Sequence, residues 1–129
     1  MEYLVVGGTA VAFYGYSRIS GITSKQPQVT IDLDFWYKPT LSNYNNLVTA
    51  LKILGVDVSA LSNLVFDPKK TFLKIPRPNF HLDFLPEMTG LDSFSVCKAN
   101  AKQVNLDGNN IYILGYNDLI KKTGSWQTR

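Results

Sequence analysis

A chain of 129 residues, 45% hydrophobic and 18% charged, has the size of one domain and can bury about two-thirds of its unfolded surface around one core, which excludes a disordered chain. The net charge of +3 permits a polyanionic partner without requiring one. The single cysteine, Cys97, excludes an internal disulfide and a cysteine-rich zinc site and reads as a small core or surface residue.

The apolar stretch from Tyr3 to Tyr16 is too short to span a bilayer, is broken by Gly7-Gly8 and Gly15, and has no basic leader. Neither a signal peptide nor a membrane helix is expected, so the expected location is the cytoplasm, with no membrane partner.

Glu2 to Val6 reads as a short strand that meets Gly7-Gly8. Thr9 can cap a helix running through Ala10, Val11, Phe13 and Tyr14 to Gly15. Ser17 to Gln28, polar and holding Gly21 and Pro27, reads as a loop. Val29 to Tyr37 alternates with a period of two, with Ile31, Leu33 and Phe35 on one face and Asp32, Asp34 and Trp36 on the other. Leu41 to Leu54 carries apolar residues at helical spacing, and Gly55 fits the residue after a helix end.

Thr71–Ile75 and Asn79–Leu85 read as strands separated by Pro76-Arg77-Pro78, and Leu91–Ala101 as a weaker helix. Val104–Leu106 and Ile111–Leu114 read as a hairpin across Asp107-Gly108-Asn109-Asn110. Asn117 or Asp118 can start a last helix. Strands mixed with helices predict an α/β or α+β domain around one mixed sheet flanked by helices, spanning residues 1–129.

Asp32-Leu33-Asp34 places two carboxylates on one strand face with Cα atoms roughly 6.5–7 Å apart. An isolated pair of this kind is more often two solvated side chains. Asp83, in His81-Leu82-Asp83-Phe84-Leu85, is a single carboxylate on the polar face of a second apolar strand. If the two strands are neighbours, three carboxylates gather, and each pair about 5 Å apart repels by about 3 kcal/mol at an effective dielectric near 20. A cation or a shared proton must offset that repulsion. An all-oxygen set suits Mg²⁺ or Mn²⁺, with substrate phosphates completing the shell. Gly7-Gly8-Thr9 lets the backbone approach a phosphate at a helix start, though such a tripeptide alone is more often an ordinary tight turn.

The segments V-V-G-G-T-A-V-A-F-Y-G-Y-S-R, T-I-D-L-D-F-W and H-L-D-F-L, in that order, resemble the minimal nucleotidyltransferases of the DNA polymerase β superfamily, in particular the toxin–antitoxin and abortive-infection branch. The segments D-F-L-P-E-M-T-G-L-D-S-F and L-D-G-N-N-I-Y-I-L-G-Y-N-D-L-I-K-K are similar to the end of such domains, so the resemblance covers nearly the whole chain. It implies that Gly7, Gly8 and Thr9 hold a triphosphate, ATP being the expected nucleotide. It implies that Asp32 and Asp34 bind two metal ions, and that Asp83 completes one metal site and helps deprotonate an acceptor hydroxyl. The implied reaction is in-line attack on the α-phosphate, transferring a nucleoside monophosphate to a hydroxyl of a protein or RNA and releasing pyrophosphate.

That resemblance also implies a cognate toxin or antitoxin partner. The exposed aromatic content is compatible with a homodimer. Members of that family carry more chain before the first strand and after the last helix, so a domain shortened at both ends is a further expectation. A catalytically degenerate binding module on the same fold is the alternative. A glycosyltransferase using its D-x-D is disfavoured by the short chain.

Arg18 and Lys25 flank the site in sequence and divide evenly between phosphate contacts and loop solubility. Trp36 divides between a platform for a base or ribose and a rim aromatic packed on a neighbouring loop. His81 reads as a hydrogen-bonded bystander beside Asp83. Lys121 and Lys122 divide between nucleotide contacts and a solvated helix end, and Lys69-Lys70 reads as a hairpin turn.

Overall fold

Leu4, Val5 and Val6 are buried in strand β1 (Tyr3–Val6), and the chain passes from β1 straight into helix α1 (Gly7–Arg18). Gly7 makes this turn possible, with φ at 60°, a region that side chains with a Cβ rarely adopt. In this computed structural model the described residues are 1–18 and 31–127. Lys25 and most of the expected loop therefore lie outside the described residues. Two sequence expectations are corrected here. Thr9 is not the cap of α1, because the helix already begins at Gly7, and Gly15 does not end it. One glycine inside a helix costs only about 1 kcal/mol, and the helix continues to Arg18, taking in the first two residues of the expected loop.

Strand β2 (Ile31–Tyr37) follows. Helix α2 (Leu41–Ile53) is opened by Thr40, whose side chain accepts the Asn43 N–H. At its other end Gly55 has φ of 93°, the Gly55 N–H reaches the Lys52 carbonyl, and the Val56 N–H reaches that of Leu51. This pattern is a Schellman stop, at the glycine the sequence marked. Strands β3 (Leu73–Pro76) and β4 (Phe80–Leu85) form the next pair. Helix α3 (Phe94–Ala99) is shorter than the expected Leu91–Ala101, because the Ser93 side chain caps it only at that point. Strands β5 (Lys102–Leu106) and β6 (Asn109–Ile113) form the expected hairpin, turned by Asp107 and Gly108 with φ of 52° and 83°. Helix α4 (Tyr116–Gln127) starts one residue before the expected Asn117.

The six strands form one sheet in the order β3-β4-β2-β1-β6-β5. β1 runs antiparallel to β2 and parallel to β6, while β2 runs parallel to β4, so the sheet is mixed. Two apolar clusters lie on its faces. Tyr44, Leu47 and Leu51 of α2 pack on Tyr37, Leu73, Ile75, Leu82 and Phe84. Ala10 of α1, Phe94 and Cys97 of α3 and Leu119 of α4 pack on Leu4, Val6, Trp36 and Ile113. The domain is thus an α+β fold with α2 on one face of the sheet and α1, α3 and α4 on the other. Among the described residues no helix is long and apolar enough to cross a membrane.

Candidate active site

The strand alternation expected for β2 holds, and it places Asp32, Asp34 and Trp36 on the face that α1 covers in part. β4 lies beside β2 in parallel register, pairing Asp32 with His81 and Asp34 with Asp83. On the other side of β2, Val6 pairs with Asp34, so α1 begins next to that carboxylate. The Gly8 N–H donates to Asp34. A Cβ at Gly7 would stand 2.6 Å from Asp34 Oδ2, so only glycine lets the helix start this close.

Thr9 fastens the same two elements. Its hydroxyl donates to the Asp32 carbonyl at 3.1 Å and accepts the Asp34 N–H at 3.2 Å. That hydroxyl therefore sets the position of β2 against α1, a role that the G-G-T motif alone does not reveal.

The electrostatics follow from this packing. Asp34 is held above its ordinary carboxyl range, first by burial and then by the negative charge of Asp83, with a smaller push from Asp32. The hydrogen bond from Gly8 opposes the shift. Asp83 Oδ1 is buried and has no hydrogen-bond partner. A buried carboxylate oxygen without a donor is costly, and beside a second carboxylate the cost rises. Asp32 is set differently. Its carboxylate is exposed and meets His81 Nδ1 at 3.1 Å. The structure thus brings Asp34 and Asp83 together and leaves Asp32 beside them on the same face, turned to His81. Among the described residues no three His, Cys, Asp or Glu side chains already stand as a finished metal-holding group.

The remaining candidates fall away from this centre. Trp36 is 3% exposed, packs edge-on against Phe94 and donates its indole N–H to the Pro86 carbonyl. It is a core residue rather than a rim aromatic or a base platform. Lys121 lies 3.7 Å from Asp118 on its own helix. The Arg18 backbone closes α1, while its side chain and that of Lys122 lie outside the described residues. Lys69 and Lys70 do form a turn, held by Asp67, but it leads from a loop into β3 and joins no two strands as a hairpin would.

An open pocket of about 620 Å³, bordered by Trp36, Pro86, Met88 and Phe94 with Lys69 and Asp92, has no signature in the sequence. None of the three aspartates lines it. Its lining is mostly apolar and offers few convergent polar groups, so the carboxylate centre is the better guide to chemistry. A second hollow of about 490 Å³ borders Asn100, Tyr116, Asp118 and Lys121. No family model matches this chain, and no curated protein or solved structure matches it either.

Proposed function

We propose that the chain is a metal-dependent nucleotidyltransferase that moves a nucleoside monophosphate, with ATP as the expected donor, onto a hydroxyl of a protein or RNA. The observation that carries this reading is the in-register pair Asp34–Asp83, with a buried unpartnered oxygen on Asp83 and a carboxyl on Asp34 pushed upward by burial first and by its neighbour's charge second. Such a pair is unfavourable with both groups charged and becomes favourable around a shared proton, or around a hard divalent cation whose charge replaces that proton. The donor set fits Mg²⁺ or Mn²⁺: Asp34 and Asp83 would be the core ligands, and Asp32, which meets His81 in this structure, would complete the set. When bound, such ions supply charge neutralisation at the phosphates and lower the pKa of the attacking hydroxyl.

The chain's own residues carry the rest. Gly8, with open space around it, leaves the start of α1 bare for a triphosphate, while the room that Gly7 leaves is taken by the Asp34 carboxylate beside it. Thr9 holds the carbonyl of Asp32 and the N–H of Asp34, which fixes the backbone of both aspartates relative to that helix start. Asp83 would take the proton of the acceptor hydroxyl as its oxygen bonds to the α-phosphorus. The bond from that phosphorus to the bridging oxygen then breaks and pyrophosphate leaves. Positioning and electrostatics supply most of such a rate enhancement.

The test is thermal unfolding with each of the four nucleoside triphosphates, with and without Mg²⁺. A ligand at a hundred times its Kd stabilises by about 2.7 kcal/mol, which for this size is a rise of about 3–7 °C. The rise is expected to require Mg²⁺ and to vanish in Asp32→Asn/Asp34→Asn. No rise with any nucleotide would remove the reading. A rise without adduct formation on any acceptor would reduce the chain to a nucleotide-binding module.

A further inference from the structure

The carboxylate face does not end at Asp83. β3, at the edge of the sheet, pairs Lys74 with Asp83 and Pro76 with His81. The Arg77 N–H bonds the Phe80 carbonyl, so counting along the antiparallel ladder makes Lys74–Asp83 a pair without mutual backbone hydrogen bonds. Side chains of such pairs stand closest, with Cβ atoms about 4.5–5.5 Å apart. Lys74 is nevertheless exposed and makes no ion pair among the described residues.

The charge of this edge is one-sided. Residues 68–80 contain Lys69, Lys70, Lys74 and Arg77 and no Asp or Glu. None of the four cations is ion-paired among the described residues, whereas Lys38, Lys98 and Lys121 are. Phe72 is 44% exposed and, like Lys74, alternates with the buried Thr71, Leu73 and Ile75. The backbone under it is fixed, because the Thr71 carbonyl accepts the Tyr37 hydroxyl and the Thr71 hydroxyl accepts the Asp67 N–H.

We propose that this edge, from Lys69 through Phe72 and Lys74 to Arg77, is the docking track for a single-stranded RNA acceptor whose terminal hydroxyl is delivered to Asp83. The proposal rests on the nucleotidyltransferase reading for its purpose and decides between the two acceptor classes. Lys69 and Lys70 in the turn before β3, Lys74 on it and Arg77 just after it can neutralise phosphates along this edge, and the exposed Phe72 ring among them offers a face on which an unstacked base can lie. A protein acceptor adding itself as a strand is disfavoured here. β3 is only four residues long, carries a lysine, and has Pro76 where a donor is needed on the open side.

The experiment uses fluorescence anisotropy of a labelled RNA of about 12 nucleotides, a length a small domain can cover, without nucleotide or metal. Wild type should bind at low salt. Lys74→Gln/Arg77→Gln should weaken binding at least about tenfold and lower the slope of log affinity against log salt by about 1.4, which is 0.7 for each phosphate left without its cation. Phe72→Leu should weaken it by about fivefold or more, because an aliphatic side chain offers no ring for a base to stack on. Lys102→Gln, on the opposite edge of the sheet, should bind as wild type, and unfolding temperatures should confirm that every variant is folded. Asp32→Asn/Asp34→Asn should keep RNA binding while losing Mg-nucleotide binding, so the two readings fail separately. The proposal is overturned if wild type does not bind, if Lys74→Gln/Arg77→Gln binds with unchanged affinity and slope, or if Lys102→Gln loses as much. Equal affinity for duplex RNA or for an acidic peptide would overturn it as well.

Discussion

Gly7 and Gly8 are adjacent in sequence and opposite in tolerance. Gly7 has a positive φ and its absent Cβ leaves room for Asp34, whereas nothing lies within 4 Å of a Cβ at Gly8. Gly7→Ala is expected to cost about 1–2 kcal/mol in backbone strain alone and to displace the Asp34 carboxylate, lowering the unfolding temperature and removing Mg-nucleotide stabilisation. Gly8→Ala is expected to fold as wild type, and side-by-side melting curves check the contrast. Asp34 supplies a pH test. A carboxyl whose folded pKa is raised binds more protons folded than unfolded, so its penalty is absent in acid and grows as pH rises through the raised value. In metal-free protein, Asp34→Asn is therefore expected to raise the unfolding temperature at neutral pH and to change it little in acid. An equal effect at every pH would remove the account of a carboxyl raised by burial and by the charge of Asp83. Cys97 is fully buried and its thiol is pushed up to about 11, by burial first and by the charge of Asp118 second. Thiol reagents at mildly alkaline pH are expected to label it only as the chain unfolds, with a denaturant midpoint that matches unfolding.

Elements are joined by a few side chains whose bonding is not legible from their own neighbourhood. Asn43 is 5% exposed and bonds the backbone of Glu2 in both directions and the Lys38 carbonyl, tying α2 to the ends of β1 and β2. Asn43→Ala is expected to destabilise by about 1–2 kcal/mol, since the Glu2 N–H loses its acceptor while the Glu2 and Lys38 carbonyls keep the Lys38 and Thr40 N–H groups. Thr9→Val keeps the shape of the side chain and removes both bonds to β2, so a loss of about 1–3 kcal/mol is expected, while Thr9→Ser should retain most of the stability. Chemical denaturation measures both. The sequence does show where the strands lie and which way Asp32, Asp34 and Asp83 face, because alternation is a local property. It also marks Gly55 and Asp107-Gly108, whose backbone angles few other residues accept. The register that sets Asp34 beside Asp83 joins residues on strands far apart in the chain, and no local pattern encodes it. Trp36 is hidden for the same reason, since Phe94 and the Pro86 carbonyl reach it only in the folded sheet.

Across the whole molecule, the β2–β4 half holds the carboxylates and the cationic edge, while the β5–β6 hairpin completes the other half of the sheet. Loss of nucleotide binding without loss of RNA binding, or the reverse, would show the two functions residing in separate surfaces of the first half. The junction between the halves is β1, which pairs with β2 on one side and with β6 on the other through Val5 and Ile113. That arrangement bears on how the chain leaves the ribosome. β1 is made first and can pair with β2 once Tyr37 has emerged, but its second partner is some 75 residues further on. At about 5–20 residues per second the interval is several seconds. During it the strand Tyr-Leu-Val-Val presents one unpaired apolar edge, the kind that captures other strands. A chain stalled before Ile113 would keep that edge open indefinitely, so translational pausing in the second half of the message should be a direct route to aggregation.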